Sequence, residues 1–402
     1  MTGRADREVA VQAEGVKRVR ADLACFGGEP AFADDIRVGT PNVPAKERYL
    51  ELVSQAIDRR WLSNLGPLVQ EFEGRAAERT LRRHNTATSN ATAALQVAAK
   101  ACGLTGEVIM PSFTFVATAH AMSWIGLTPV FCDVDPATGT LDPLSVAKAV
   151  TPRTGGILGV HIWGNLCDSA ALDEVARDAG VPLVYDSAQA FGCRPLAPGP
   201  MGSAEVFSFH ATKILNTFEG GLVATDSDEV HARVRSMHNF GFDEAMRVIG
   251  PGTNAKMSES SAAMGIASIE RLDATLATYR SLHLRYREGL AQVPGVTLFE
   301  APAGQTHNHQ YIVVRVDPGA AGLDRDRLFD VLGAENIRTK KYFAPGCHRM
   351  PPYRSDAVHT PLDLPVTEEL TERVLSLPIG LSVSPQDVDR ICDVIAAAVR
   401  HA

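Results

Sequence analysis

The sequence predicts an α/β fold, with a large domain built on a mainly parallel sheet and a smaller C-terminal α+β domain behind it. Three observations lead there. A chain of 402 residues exceeds the size at which a single hydrophobic core keeps growing, so two packed units are expected. From about residue 85 to 226, short apolar runs alternate with helical segments, the pattern of strands joined by crossover helices. After Thr253 the apolar residues take on helical spacing over a long stretch.

Taken in order, Glu107–Pro111, Pro129–Val134, Gly155–His161, Pro182–Asp186, Glu205–Phe209 and Leu222–Thr225 read as strands. Most are nearly continuous in Val, Ile, Leu and Phe, as strands covered by helices on both faces should be. Ala91–Cys102 and Ser169–Ala179 have helical composition. Val108–Phe131 carries no Asp, Glu, Lys or Arg and has the length of a membrane span. Pro111, Pro129, His120 and several Ser and Thr residues divide it instead into strand, short helix and strand. Met264, Ile269, Leu272, Leu276, Tyr279, Leu282, Tyr286 and Leu290 predict one long amphipathic helix leaving the large domain. His309–Val316, Asp324–Leu332 and Pro385–Val399 supply a strand and helices of the smaller domain. The expected organisation is a tail over 1–25, a large domain over 26–275 and a smaller one over 276–402. Met1–Arg20 mixes charges of both signs without an apolar centre, so it reads as a tail and not an export signal, and a cytoplasmic protein is expected.

Composition excludes several functions. The 39 basic and 47 acidic residues give a net charge of −8 with no dense basic run, which makes nucleic acid a poor partner. The seven cysteines contain no Cys-x-x-Cys pair, so neither a zinc ribbon nor a disulfide framework is expected. No Gly-Lys dipeptide, no Gly-x-Gly-x-x-Gly and no His-Glu-x-x-His occurs, which removes the familiar nucleotide and zinc motifs. A Gly-x-Ser-x-Gly elbow is absent as well.

Only eight lysines are present, and Lys213 stands apart from the others. It follows the apolar strand Glu205–Phe209 and precedes the turn Phe218-Glu-Gly-Gly221, where α/β sheets place ligand chemistry. Burial there disfavours the ammonium and frees the amine to attack a carbonyl. The plain alternative is a lysine snorkelling from a strand end to water. Asp186 ends the apolar run Pro182-Leu-Val-Tyr and is costly there unless it faces a cation or several donors. An aldehyde cofactor with a pyridine ring needs both groups, an amine for an imine and a carboxylate to keep the ring nitrogen protonated. Taken alone, Asp186 reads as a helix N-cap rather than a cofactor ligand. Ser89-Asn-Ala-Thr-Ala-Ala94 opens a predicted helix whose free N–H groups, with the Thr92 hydroxyl, form an anion site or simply a cap. Phe115 follows a strand end, placed to stack on a flat ring or to pack in the core.

Asn90-Ala-Thr-Ala-Ala-Leu95, Pro111-Ser-Phe-Thr-Phe115, Asp186-Ser-Ala-Gln189, Ser208-Phe-His-Ala-Thr-Lys213, Glu219-Gly-Gly221 and Asn254-Ala-Lys-Met-Ser258 occur in one order along the chain. In that order they resemble the DegT/DnrJ/EryC1/StrS sugar aminotransferases, over about nine-tenths of the chain. Trp61-Leu-Ser-Asn64, Val160-His-Ile-Trp-Gly164 and Tyr342-Phe-Ala-Pro-Gly-Cys-His348 add a likeness to the members that aminate dTDP-4-keto-6-deoxyglucose in antibiotic deoxysugar pathways.

The resemblance implies a fold type I pyridoxal-phosphate (PLP) enzyme acting as a homodimer. Lys213 would carry the cofactor through an imine, Asp186 would face the pyridine nitrogen, and Gln189 the phenolic oxygen. Phe115 would stack on the ring. Ala91, Thr92 and Ser208 would hold the phosphate, with Asn254 reaching across from the second subunit. Tyr342 and His348 would meet the sugar nucleotide. L-Glutamate would be the amine donor and a dTDP-4-keto sugar the acceptor. Relatives that catalyse 3-dehydration carry histidine in place of the lysine; this chain keeps Lys213. Two alternatives stay open, 3-amination of a dTDP-3-keto-6-deoxyhexose and a silent member that only binds cofactor or sugar nucleotide.

Overall fold

The computed structural model describes Lys17 and residues 19–197, 199–355 and 358–402. Its centre is a sheet of seven strands: β1 His84–Thr88, β2 Thr105–Pro111, β3 Thr128–Cys132, β4 Thr154–Val160, β5 Leu183–Asp186, β6 Ala204–Ser208 and β7 Gly221–Thr225. They lie in the order β1-β7-β6-β5-β4-β2-β3. β7 alone runs against its neighbours, so the other six strands end along one edge. From β3 the chain returns past β2 to lay down β4, β5 and β6 on its other side. The winding therefore reverses between β2 and β4, where open α/β sheets form their ligand crevice.

The near-continuous apolar runs follow from burial on both faces. Val108, Met110, Val184 and Val206 pack with Leu95, Ala98 and Met122 on one face. On the other, Ile109, Ile157, Leu183 and Tyr185 pack with Val146, Leu172 and Ala176. The uncharged stretch from Val108 resolves into β2, the helix Ala117–Trp124 and β3, and no helix among the described residues is long and apolar enough to cross a membrane.

The long helix expected through Leu290 is two helices, Glu259–Ile269 and Leu272–Leu290, with Arg271 outside helical geometry at φ −109°, ψ 2°. The first lies against the helices Lys46–Asp58 and Pro67–Thr80, the second against Pro385–Arg400. A straight helix could not serve both surfaces. Glu270, at the break, pairs with Arg48 at 2.9 Å and Arg75 at 3.4 Å.

The smaller sheet holds β8 Val296–Leu298, β9 Ile312–Val316 and β10 Val374–Leu377, antiparallel in that order. Two large-domain groups fix its position. Asp133, just past β3, accepts the N–H groups of Val366 (3.0 Å) and Thr367 (2.7 Å) and so caps the helix Pro365–Arg373. Ser112, just past β2, takes the N–H groups of Cys347 and His348. Most of the expected tail lies outside the described residues. Lys17 is buried 3.2 Å from Glu335, which also accepts N–H groups from Ala24 and Ala31, so residues there are tied to the C-terminal half.

The segment leading into β9 carries two histidines that stack with a third. His307 lies 4.7 Å from His309, and His309 lies 4.3 Å from His283 of the helix Leu272–Leu290, measured between ring centroids. Burial, and secondarily neighbouring positive charge, pushes their pKa values down to about 3 for His307 and about 4 for His309 and His283. Arg280 and Arg287 add to the effect, and Glu300, 3.8 Å from His283, is too exposed to reverse it. The unfolded chain takes up these protons first, from about pH 6.5, so this contribution is complete above that pH and is lost as pH falls toward about 4. Replacing His283 removes one such proton and relieves the other two rings. The urea midpoint of His283→Gln should therefore decline less steeply than wild type between pH 6.5 and 4; an equal slope would show that the trio titrates normally.

Candidate active site

At the end of β5 the Asp186 carboxylate is buried, with Oδ2 accepting from Thr118 Oγ1 at 2.8 Å and Oδ1 from the Ala188 N–H at 3.0 Å. The contact to Ala188 is a turn two residues on, and no helix starts there, so the helix-cap reading fails. Asp186 has no ion pair within 4.0 Å among the described residues. Burial raises its pKa, while Thr118, Ala188, Lys213 and His161 oppose the rise. A buried carboxylate with neutral donors and an open side is suited to a cationic partner not supplied by the chain.

Lys213 lies beyond β6, half-buried, with Nζ 3.4 Å from Tyr311 Oη. Burial pulls the amine's pKa down to about 8, against the opposing influence of Asp186 and Tyr342. An amine so placed is partly neutral near physiological pH and can act as nucleophile or base.

The residues expected to hold a phosphate gather around one glycine. Thr88, Gly221 and Ser208 are register partners across β1, β7 and β6. A side chain at Gly221 would meet Ala91 N at 2.7 Å, so only glycine lets the next helix approach this closely. Asn90 caps that helix, Ala91–Ala101, by accepting the Ala93 N–H at 2.8 Å. Among the described residues the N–H groups of Ala91 and Thr92 have no partner, and Ser208 pairs with Gly221 beside them, which suits an anion at a helix N-terminus.

Gln189 is buried and its Oε1 accepts the Trp163 N–H at 2.5 Å, which leaves its NH₂ as the free donor. Phe115 is 56% exposed, its ring 6.2 Å from Phe343, so the expectation of core packing does not hold and a broad face stays open. Tyr342 stacks on Phe343 at 5.0 Å and feels the charge of Lys213. His348 is turned elsewhere: Nδ1 lies 2.6 Å from Ser112 Oγ, and Nε2 is 3.6 Å from Glu368. Asn254 is exposed with Oδ1 accepting from Lys256 Nζ, and the neighbouring Ala255 carbonyl accepts the Ser89 N–H.

Thr118, Tyr311, Asn308 and Gln310 also serve this place and were not singled out from sequence. Thr118 and Tyr311 sat in segments already read as helix and strand, where a hydroxyl beside a site was the available signal. Together these groups fit pyridoxal phosphate. An unpaired buried carboxylate suits a protonated ring nitrogen, a low-pKa amine suits an aldehyde, and an open helix N-terminus suits a phosphate.

Comparison with known proteins agrees with that chemistry. The profile of the DegT/DnrJ/EryC1/StrS aminotransferase family matches residues 44–396. A dTDP-4-amino-4,6-dideoxy-D-glucose transaminase of Escherichia coli is 31% identical over 359 residues, 89% of this chain and 96% of that protein. A GDP-perosamine synthase of Caulobacter vibrioides is 34% identical over 364 residues, 89% of this chain and 96% of that protein. The crystal structure of DesI in the presence of its TDP-sugar product superimposes with a TM-score of 0.90 at 49% identity, covering 94% of this chain and 97% of that one.

Lys213→Ala should abolish turnover and leave the circular dichroism and melting profile unchanged, since the amine supports no part of the core. Asp186→Asn should retain cofactor and slow the reaction with amine donor by more than about tenfold, because a neutral amide cannot keep a ring nitrogen protonated. The same change removes a negative charge that holds the Lys213 pKa up against burial, so the rising limb of the pH profile should move to lower pH than in wild type. A rate within about threefold of wild type, under about 0.7 kcal/mol, would leave Asp186 only a structural role.

Proposed function

The chain belongs to the DegT/DnrJ/EryC1/StrS aminotransferase family, and on that basis we propose that it moves an amine from L-glutamate to C4 of dTDP-4-dehydro-6-deoxy-D-glucose. The products are 2-oxoglutarate and dTDP-4-amino-4,6-dideoxyglucose. The chain is a PLP-dependent sugar aminotransferase of fold type I. The observation that carries the substrate assignment is the 49% identity, over 94% of the chain, to DesI solved with its TDP-sugar product. We assign the cofactor to residues 26–275 and take 276–402 as the smaller domain.

Bound here, pyridoxal phosphate supplies an aldehyde that accepts the donor amine and a ring that withdraws electrons from the carbon losing a proton. The chain's residues do the rest. Lys213 would hold the cofactor, and its partly neutral amine would be the base that takes a proton from the donor carbon and returns it one position away. Asp186 would keep the ring nitrogen protonated through its open side. The free NH₂ of Gln189 would donate to the phenolic oxygen, and Phe115 would cover the ring. Ala91, Thr92 and Ser208 would hold the phosphate, keeping the reacting end in place while substrates exchange. Tyr342 lines the route for the sugar nucleotide. We keep His348 as a nucleotide contact only through its Nε2 edge, since Ser112 occupies Nδ1.

We infer a homodimer, cytoplasmic, serving deoxysugar assembly for an antibiotic. Its support is the hairpin from Phe240 to Ile249, whose Phe240, Met246, Val248 and Ile249 side chains are exposed beside Asn254. Asn254 then completes the phosphate cradle of the other subunit. Mixed and reassociated Lys213→Ala and Asn254→Ala chains should regain part of the activity if the two residues meet in one site from different subunits; a dead mixture would place both in the site of their own chain.

Purified protein should aminate the dTDP-4-keto sugar with L-glutamate, the product's amine assigned to C4 by NMR. The free keto sugar should react far more slowly, because the nucleotide supplies binding energy remote from the reacting carbon. A higher kcat/KM for the 3-keto isomer would overturn the position. A higher value for the GDP-linked sugar would overturn the nucleotide. No spectral response of the bound cofactor to L-glutamate would leave a silent binder.

A further inference from the structure

The segment Asn308–Tyr311, just before β9, touches both the loop after β5 and the loop that carries Lys213. Asn308 is fully buried, and its Nδ2 donates to the carbonyls of Gln189 at 2.9 Å and Phe191 at 3.1 Å. Its Oδ1 accepts the N–H of Gln310 at 3.0 Å. Gln310 is buried in turn. Its Oε1 accepts the Ile214 N–H at 3.0 Å and its Nε2 donates to the Thr212 carbonyl at 3.3 Å. One amide therefore clamps the peptide groups on both sides of Lys213. Tyr311 follows directly, with its hydroxyl 3.4 Å from Lys213 Nζ.

The chemistry of these side chains suits the task. A primary amide offers an acceptor and donors in one plane, so it can hold a peptide N–H and a peptide carbonyl at once. A phenol stays un-ionised when buried, and burial raises the Tyr311 pKa, so its oxygen remains a neutral acceptor. Lysine has a flexible four-carbon stem. During transfer it must leave the cofactor yet stay within reach of the reacting carbon, where a misplacement of about 1 Å costs about a hundredfold in rate.

We propose that Gln310 and Tyr311 are positioning residues for Lys213, the amide fixing the backbone that carries the lysine and the phenol receiving its amine whenever that amine is free. The proposal rests on the reading of Lys213 as the cofactor-bearing lysine. It gives the smaller domain a part in the chemistry, since both residues lie directly before its strand β9.

The test uses full-length wild type, Tyr311→Phe, Gln310→Leu and Lys213→Ala. One measurement follows the bound cofactor's absorbance through a single turnover with L-glutamate between pH 6.5 and 9.5. The other uses the cofactor-stripped full chain and reads, by mass spectrometry, the pH dependence of labelling at Lys213 by an amine-reactive reagent. Tyr311→Phe should keep its cofactor and hold KM for L-glutamate within about threefold while the rate falls about tenfold. Its Lys213 pKa should drop further by about half a unit or more, because the ammonium loses an acceptor that the neutral amine needs less. Gln310→Leu keeps the phenol, so it should lose rate by about tenfold with cofactor still bound. Unchanged rate and unchanged labelling in Tyr311→Phe would overturn the role of the phenol. Loss of rate in Gln310→Leu only in step with loss of cofactor and fold would overturn that of the amide. If Lys213→Ala itself still takes up cofactor and reacts with L-glutamate, the failure belongs to the reading of Lys213, whatever the other variants do.

Discussion

Asp186, buried, and Lys213, half-buried, stand at the carboxyl edge of one sheet, and no short ion pair joins them. Had they closed on each other, the amine would have stayed an ammonium and the carboxylate would have had no free side. Each is instead held by neutral groups: Thr118 and the Ala188 N–H on the carboxylate, Tyr311 on the amine, and Gln310 on the backbone around it. Their charges still interact across the gap, enough to oppose the effect of burial on each pKa but not to cancel it. The gap suits a ring with an aldehyde at one end and a basic nitrogen at the other.

The sheet keeps that gap open. β5 ends in Asp186 and β6 in Ser208, next to each other, and β7 is inserted antiparallel between β6 and β1. That insertion sets Gly221 under the first turn of the helix Ala91–Ala101, bringing a helix N-terminus to the same edge as Asp186. Anion site, carboxylate and lysine thus share one crystal-like frame of backbone hydrogen bonds, and only the lysine is steadied from the smaller domain. The strap that steadies it alternates: Asn308 and Gln310 face the large-domain loops, while His307 and His309 stack back toward His283. Acid that charges the histidines acts on the same backbone that holds Lys213.

What was legible in the sequence was whatever burial writes into consecutive residues. Strands covered on both faces leave apolar runs, and a charged residue at the end of such a run is conspicuous, so β2 to β7, Asp186 and Lys213 could be read. β1, His-Asn-Thr-Ala-Thr, could not, because its burial is achieved with polar side chains such as Asn85, bonded to Thr80 and Arg82. The break at Arg271 was invisible because the apolar spacing continues through it; only the two packing surfaces demand the bend. Thr118, Gln310 and Tyr311 reach their partners across 68, 96 and 98 residues of chain, and no local pattern records a contact of that range. His348 was legible as part of a motif, but its attachment to Ser112 depends on how the two sheets meet.

Backbone groups, more than side-chain charges, specify the orientation of the site, and Trp163 shows how. Its φ of +57° is left-handed, a conformation that costs a bulky residue about 1–3 kcal/mol and persists only where the surroundings enforce it. The indole is buried against Phe113 and Phe299, which holds the residue in place. In that conformation the Trp163 N–H points at Gln189 Oε1. A backbone N–H can only donate, so the amide of Gln189 has one possible orientation, with its NH₂ outward. Asn308 holds the carbonyl of the same glutamine, fixing the backbone as Trp163 fixes the side chain. The Ala188 N–H on Asp186, the Ile214 N–H on Gln310 and the open N–H groups of Ala91 and Thr92 follow the same rule. Donors built into the main chain cannot titrate or rotate away, so the site's polarity stays set while Lys213, the one group that must both bond and let go, remains free to move.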